Sequence, residues 1–399
     1  MFNLVRLKYS YSIFYVSLEQ VMTVSKKTLV PHYIKNLETY QAGKPIDELA
    51  REKGLTRISK IASNENPLGP SPYAIREMTY GLWDTFRYPD MHAFRLKKSL
   101  SELYHLKKEN IILGNGSEGI MGYIMRAFVQ PGDEILTSDG TFIGFYILAR
   151  GAGAKLIRTP LTEDYRYDVQ AMASKITEDT KIIYVANPNN PTGTYITKKE
   201  FDYLMTFVPQ HTLVILDEAY FEFARGTFDY PDSMDYRYDN VITLRTFSKA
   251  YGLAGIRVGY GFAHDDLITN LTKVKLPFEP SMVAQLGACG AIEDYPHLER
   301  TIANNQKRYQ ELWNFLTTKS FKPIPSATNF ITFKTGSAEA SEYLFQELLN
   351  RGVIIRPLRT NEMPEFVRVS LGTKKEMQHF YEAMEEILPQ YDHKFGRVK

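Results

Sequence analysis

Short runs of apolar residues alternate with helical patterns through the middle of the chain. The runs 181–186, 212–216 and 241–244 are almost continuously apolar, which is typical of strands buried on both faces of a parallel sheet. Between the first two runs, Thr197 and Glu200 have the spacing of a capping box and predict the start of a helix. Strand, helix and strand at this spacing indicate a βαβ unit, and therefore an α/β fold with a mostly parallel sheet.

A further strand is predicted at residues 111–113. It leads into a glycine-rich turn at 114–119, after which apolar residues between 120 and 128 recur at helical spacing. The last third of the chain has a different character, because helical patterns there flank several short strands. We therefore expect a second, smaller α+β domain after the large one.

The pattern predicts four regions. Residues 1–25 are predicted to be a disordered extension. Charged and hydroxyl side chains interrupt the apolar residues there, so that no apolar run reaches the roughly 20 residues that a membrane span needs. Residues 26–70 form an N-terminal arm that joins the smaller domain. Residues 71–285 form the large domain with the parallel sheet, and residues 286–399 form the small C-terminal domain.

Composition narrows the classes of function. The chain has 48 Lys and Arg against 46 Asp and Glu, a net charge of +2, so no strong field of one sign attracts nucleic acid or an anionic membrane. The single cysteine, Cys289, cannot form an intramolecular disulfide, and the histidines lack the spacing of metal ligands. We expect a cytoplasmic protein that binds small molecules and holds no metal.

Polar residues follow each predicted strand, at the edge of the sheet where α/β proteins bind their ligands. A glycine turn at a helix N-terminus suits a phosphate, and Arg257 adds a bidentate charge. A buried aspartate such as Asp217 suits a protonated ring nitrogen, and a desolvated lysine such as Lys249 becomes nucleophilic. Each feature alone also fits a tight turn, a helix cap or a surface lysine. Together at the strand ends they favour a site for pyridoxal phosphate.

From about Val30 onward, the sequence resembles the class I and II aminotransferases of pyridoxal-phosphate fold type I. The resemblance rests on the segments 190–193, 217–220 and 248–257. It is closer to the histidinol-phosphate aminotransferases, through the segments 37–45, 62–67, 87–90, 245–249, 367–369 and 372–373. It implies an αβα sandwich around a mostly parallel central sheet, plus a smaller α+β domain.

The resemblance also implies a role for each matching residue. Lys249 would carry the cofactor as a Schiff base and transfer the substrate proton, and Asp217 would keep the pyridinium nitrogen protonated. Tyr220 and Asn190 would bond the ring oxygen, and Phe142 would stack on the ring.

Further matching residues would bind anions. The phosphate of the cofactor would be held by Gly116, Ser117, Glu118, Thr246, Ser248 and Arg257. Tyr88 would reach that phosphate from the partner subunit of a homodimer. The substrate would be bound by Tyr40, Asn66, Arg356 and Arg368.

The activity implied is transamination, with L-histidinol phosphate and 2-oxoglutarate giving imidazole acetol phosphate and glutamate in histidine biosynthesis. An aromatic amino acid aminotransferase is an alternative, because Arg368 takes a carboxylate as readily as a phosphate. A related pyridoxal-phosphate decarboxylase is another. A non-enzymatic regulator that binds the same cofactor would need a DNA-binding segment, and the stretch before Lys26 is too short for one.

Overall fold

The computed structural model describes residues 28–39, 43–236 and 238–396. The predicted extension at residues 1–25 and Tyr40 therefore lie outside the described residues. The α-helices of the described residues, in chain order, are α1 (His32–Lys35), α2 (Ile46–Lys53), α3 (Pro72–Gly81), α4 (Phe94–Tyr104), α5 (Gly116–Phe128), α6 (Ile143–Gly151), α7 (Val169–Ser174), α8 (Lys198–Met205), α9 (Phe221–Ala224), α10 (Asp265–Val274), α11 (Met282–Glu293), α12 (Tyr295–Thr318), α13 (Ala338–Asn350) and α14 (Lys374–Phe395).

The strands are β1 (Ser59–Lys60), β2 (Ile111–Gly114), β3 (Glu134–Ser138), β4 (Lys155–Thr159), β5 (Thr180–Ala186), β6 (Leu213–Asp217), β7 (Val241–Thr246), β8 (Gly259–Phe262), β9 (Lys322–Pro323), β10 (Phe330–Lys334), β11 (Val353–Ile354), β12 (Arg356–Pro357) and β13 (Phe366–Ser370). The capping box predicted at Thr197 and Glu200 is formed and begins α8.

Seven strands form the central sheet, in the order β2-β8-β7-β6-β5-β3-β4. β8 runs antiparallel to its neighbours β2 and β7, and the other adjacent pairs are parallel, which confirms the predicted mostly parallel sheet. Alternate side chains enter two cores. Ile182 and Ile215 pack with α5 and α6 on one face, while Ile183 and Val214 pack with α7 and α8 on the other. Burial on both faces explains the continuous apolar runs.

The small domain is a four-stranded antiparallel sheet in the order β12-β13-β10-β9. Apolar residues of α12, α13 and α14 pack on it. In the arm, β1 pairs in parallel with β11, so the arm is joined to this domain. The expected boundary at residue 286 lies within α11, whose buried residues Ala284 and Ala288 pack with the large domain. We therefore propose that the domains divide between α11 and α12.

In the part of the chain that the structure describes, no helix is both long enough and apolar enough to cross a lipid bilayer.

Candidate active site

A cavity of about 200 Å³ lies at the carboxyl ends of the central strands. It opens where β5, β6 and β7 end and where α5 begins, which is the edge at which ligands of such sheets bind. Most of the predicted cofactor residues share this cavity. They are Ser117, Glu118, Phe142, Asn190, Asp217, Tyr220, Thr246, Ser248, Lys249 and Arg257.

Asp217, the last residue of β6, is 5% exposed at the base of the cavity. Its Oδ2 accepts a hydrogen bond of 2.8 Å from the Tyr184 hydroxyl. Its Oδ1 is buried and accepts no hydrogen bond from the described residues. Burial raises the pKa of this carboxyl to about 6, although the bond from Tyr184 opposes the rise. A buried acceptor without a donor is costly, and the protonated ring nitrogen of pyridoxal phosphate is a donor of the right charge.

The Lys249 amine also lines the cavity, from the loop after β7. Its Nζ is 3.4 Å from the Ser63 carbonyl oxygen and 5.7 Å from the centre of the Tyr220 ring. Burial is the main cause that lowers the pKa of this amine to about 8, and the charges of Arg368 and Arg257 lower it further. The amine is therefore deprotonated far more often than that of a surface lysine, as a nucleophile requires.

Backbone N–H groups, hydroxyls and a guanidinium converge at the start of α5. No side chain caps this helix. Gly116 has φ 76°, and a Cβ built there would lie 2.6 Å from Nη2 of Arg257. Arg257 Nη1 donates to Ser248 Oγ at 3.3 Å, and Thr246 Oγ1 donates to the same oxygen at 3.0 Å. These groups form a positively polarised cup, and the left-handed backbone at Gly116 favours glycine beside the guanidinium.

The remaining walls are aromatic and amide side chains. Phe142 packs over Gly144, where a Cβ would lie 2.5 Å from the phenyl ring. Asn190 Oδ1 accepts a hydrogen bond from Arg368 Nη1. The Tyr220 hydroxyl accepts a bond of 2.8 Å from Asn64 Nδ2. The walls therefore place an apolar ring surface and two polar groups around the space between Lys249 and Asp217.

Two predicted substrate residues lie together on the small-domain side. Arg368 on β13 is 8% exposed, and its Nη2 donates to the Ala62 carbonyl oxygen at 2.9 Å. Arg356 on β12 lies directly opposite Arg368 in the antiparallel register. Side chains in this relation share one face of the sheet, and like charges there repel each other.

Asn66 and Tyr88 do not reach the cavity of their own chain. Asn66 Nδ2 donates to the Ala250 carbonyl and to Thr301 Oγ1, and its Oδ1 caps the Leu68 N–H. Its amide group therefore holds the arm against the loop after β7 and against α12, and its expected contact with substrate stays a prediction. Tyr88 is 80% exposed and stacks on Phe278, with 4.4 Å between the ring centres.

Two residues of the site were not predicted from the sequence. Tyr184 lies within an apolar strand, where a tyrosine normally contributes to packing alone. Asn64 belongs to the conspicuous segment 62–67, but the sequence gives no reason to prefer it over Asn66. It has left-handed backbone conformation, with φ 55°, and no local sequence pattern indicates this.

A larger cavity of about 840 Å³ lies elsewhere, between the loop 163–166 of the large domain and the strands β9 and β10. It contains neither a buried lysine nor a cup for an anion. We therefore place the chemistry in the smaller cavity at the strand ends.

Comparison with known proteins agrees with this architecture. Residues 56–384 match the family model described as aminotransferase class I and II. The match covers most of the chain and both domains, which defines the class of protein.

Individual relatives give the family within that class. A histidinol-phosphate aminotransferase of Hydrogenovibrio crunogenus is 41% identical, over 90% of this chain and 96% of its own length. One of Moorella thermoacetica is 39% identical, over 93% and 95%. The crystal structure of the Sinorhizobium meliloti histidinol-phosphate aminotransferase with pyridoxal 5'-phosphate has a TM-score of 0.83 at 28% identity, and covers 91% of this chain and 98% of that one. The chain belongs to the histidinol-phosphate aminotransferase family.

Proposed function

We propose that this protein uses pyridoxal 5'-phosphate to transfer the amino group of L-histidinol phosphate to 2-oxoglutarate, giving imidazole acetol phosphate and glutamate. The observation that carries the chemistry is the placement of three groups around one cavity. These are the Lys249 amine, the buried Asp217 Oδ1, which accepts no hydrogen bond from the described residues, and the anion cup beside Arg257. The names of the relatives support the substrate.

Each residue of the cavity has a separate role in the proposed reaction. When bound, pyridoxal phosphate supplies an aldehyde for the amino group and a ring that accepts the electrons released at the substrate carbon. Asp217 keeps the ring nitrogen protonated, because its carboxylate is buried and its Oδ1 accepts no hydrogen bond from the described residues. Arg257 and the start of α5 hold the phosphate. Lys249, with its lowered pKa, would take the proton from the substrate carbon and deliver it to the cofactor carbon that carried the aldehyde.

Arg356 and Arg368 support a substrate with a strongly charged acidic group. Two guanidinium groups on one face provide up to four N–H donors to an anion. With up to two negative charges, a phosphate attracts two arginines more strongly than the singly charged carboxylate of an aromatic amino acid does. This charge balance favours histidinol phosphate over phenylalanine as amino donor.

A homodimer completes the proposed site. Trp83, Phe86 and Tyr88 are 83%, 75% and 80% exposed in the single chain. Large aromatic side chains clustered at a surface are typical of subunit interfaces. We propose that this surface packs on a second copy, and that Tyr88 enters the phosphate cup of the partner. The buried single cysteine fits a reducing compartment, and we place the enzyme in the cytoplasm.

The reaction is tested with purified protein and each donor separately. We expect the visible absorbance of the bound cofactor to disappear with L-histidinol phosphate and to return on addition of 2-oxoglutarate. Phenylalanine should give the same change much more slowly. Faster conversion with phenylalanine would replace the proposed substrate, and a protein without cofactor absorbance would remove the proposed chemistry.

The partner role of Tyr88 is tested by mixing two inactive variants, Lys249→Ala and Tyr88→Ala. In a mixed dimer, one site has an intact Lys249 and receives an intact Tyr88. Random assembly therefore restores about a quarter of the wild-type activity. No recovery after subunit exchange, verified by tagged copies, would show that Tyr88 does not act across the interface.

A further inference from the structure

Tyr184 contacts the Asp217 carboxylate from within the core of the large domain. Its hydroxyl donates a hydrogen bond of 2.8 Å to Asp217 Oδ2, and the described residues offer that hydroxyl no other hydrogen bond. The side chain of Tyr184 is fully buried and does not line the cavity at the strand ends. Any influence of Tyr184 on a molecule in that cavity therefore passes through Asp217.

The pairing of β5 with β6 brings the two side chains together. In the parallel register Ala186 lies opposite Asp217, and Tyr184 lies opposite Ile215. Side chains two residues apart on a strand point to the same face, so Tyr184 and Asp217 share the face that packs on α5 and α6. The Tyr184 ring is also stacked on Phe145 of α6, with 3.7 Å between the ring centres and 8° between the ring planes. This packing holds the hydroxyl beside the carboxylate.

The hydrogen bond favours the charged form of Asp217. Burial raises the pKa of this carboxyl to about 6. Among the interactions that oppose the rise, the bond from Tyr184 is the strongest, ahead of the Ala219 backbone and the charge of Lys249. Burial and the charge of Asp217 hold the pKa of Tyr184 itself well above its ordinary value of 10. The phenol therefore keeps its proton near neutral pH and remains the donor.

From this arrangement we propose that Tyr184 is a positioning residue that acts on the cofactor through Asp217. Its bond to Oδ2 makes the carboxylate less basic, so that a proton shared with the cofactor stays on the ring nitrogen. The buried Oδ1, which accepts no hydrogen bond from the described residues, is left as the acceptor for that proton. A protonated ring accepts the electrons released at the substrate carbon. The inference rests on the proposed function.

The first measurement needs no cofactor. Aspartate labelled at the side-chain carboxyl gives an NMR signal for Asp217 in the full-length cofactor-free protein, identified by its absence from Asp217→Asn. Tyr184→Phe removes the hydroxyl but keeps the ring that stacks on Phe145. We expect this variant to raise the midpoint of the Asp217 titration by about one to two pH units, which is the effect of one hydrogen bond to a charged group.

Tyr146→Phe is the matched control. It removes a buried phenol hydroxyl from the same core, but that hydroxyl donates to the Ser138 carbonyl and not to Asp217. We expect it to leave the Asp217 titration unchanged. Replacement of Tyr184 by 3-fluorotyrosine gives a more acidic phenol and therefore a stronger donor, so the midpoint should move downward. This second replacement tests the inference even if Tyr184→Phe does not fold.

The second measurement uses the holoenzyme with pyridoxal phosphate labelled with ¹⁵N in the ring. The ¹⁵N chemical shift reports whether the ring nitrogen is protonated. At a pH where the nitrogen is protonated in the wild type and in Tyr146→Phe, we expect Tyr184→Phe to move the shift toward the unprotonated value. The same variant should lower kcat more than it changes KM, because Tyr184 does not touch the substrate.

Three results would overturn the inference. They are an Asp217 midpoint that Tyr184→Phe and 3-fluorotyrosine leave unchanged, equal shifts in Tyr184→Phe and Tyr146→Phe, and a ring nitrogen that stays fully protonated in Tyr184→Phe. A wild-type protein that binds no pyridoxal phosphate would instead refute the proposed function, and with it the role given to Tyr184. The two failures are distinguishable, because the Asp217 titration is made without cofactor.

Discussion

The lowered pKa of Lys249 predicts how quickly the cofactor-free protein takes up pyridoxal phosphate at each pH. Only the neutral amine attacks the aldehyde. The pKa of this amine is about 8, against an ordinary value of 10.5. At pH 7 about one Lys249 amine in ten is therefore neutral, compared with about three in ten thousand for an ordinary lysine. This difference corresponds to uptake about 300 times faster than with an equally accessible surface lysine.

The causes of the shift identify the variant that tests it. Burial lowers the pKa most, and Arg368 is the charge that lowers it most. Arg368→Gln removes that charge, so the midpoint of uptake should move upward from about 8. Arg351→Gln is the control, because it removes the same charge from a site on the small domain where Arg351 pairs with Glu347 and Glu386.

The assay is stopped-flow absorbance with excess pyridoxal phosphate over the pH range in which the protein remains folded. We expect the rate of uptake to rise with pH and to level off above about 8, the pKa of Lys249. Arg351→Gln should follow the wild-type curve, and Arg368→Gln should level off at higher pH. The reasoning is refuted if the wild-type rate still rises steeply between pH 9 and 10, or if both variants give one curve.

Three further predictions concern cofactor and substrate. Asp217→Asn should weaken cofactor binding by 10- to 100-fold, roughly the value of a hydrogen bond to a charged group; an unchanged dissociation constant in an absorbance titration would contradict the role of the buried Oδ1. Gly116→Ala should weaken cofactor binding at least about tenfold, because a Cβ there meets a guanidinium and the backbone is left-handed. Gly122→Ala on the same helix has open space around it and should leave binding intact, so equal losses would refute the steric argument. Arg356→Gln should raise the KM for histidinol phosphate about tenfold or more and change the KM for 2-oxoglutarate less. Arg368→Gln should raise both KM values. Steady-state kinetics with each substrate varied would contradict this if Arg356→Gln changed the KM for 2-oxoglutarate more.

The sequence alone indicated much of the fold, because local patterns determine it. Strands buried on both faces must be apolar at every position, so β5, β6 and β7 were predictable within a residue or two. The polar residues that follow them, such as Asp217 and Lys249, were therefore expected at one edge of the sheet. The structure brings them to one cavity, since parallel strands end on the same side.

The sequence could not distinguish Asn64 from Asn66, which have the same side chain within one short motif. The left-handed backbone at Asn64 and the position of Ser370, more than 300 residues later in the chain, direct only Asn64 to Tyr220. The contact of Tyr184 with Asp217 and the opposition of Arg356 to Arg368 likewise depend on which strands pair and in what register. The type of a residue, and the backbone conformation that its neighbours in the chain favour, can be read from the sequence. Its hydrogen-bond partner is chosen only when distant segments pack, because the bond requires two atoms within about 3 Å in a definite direction.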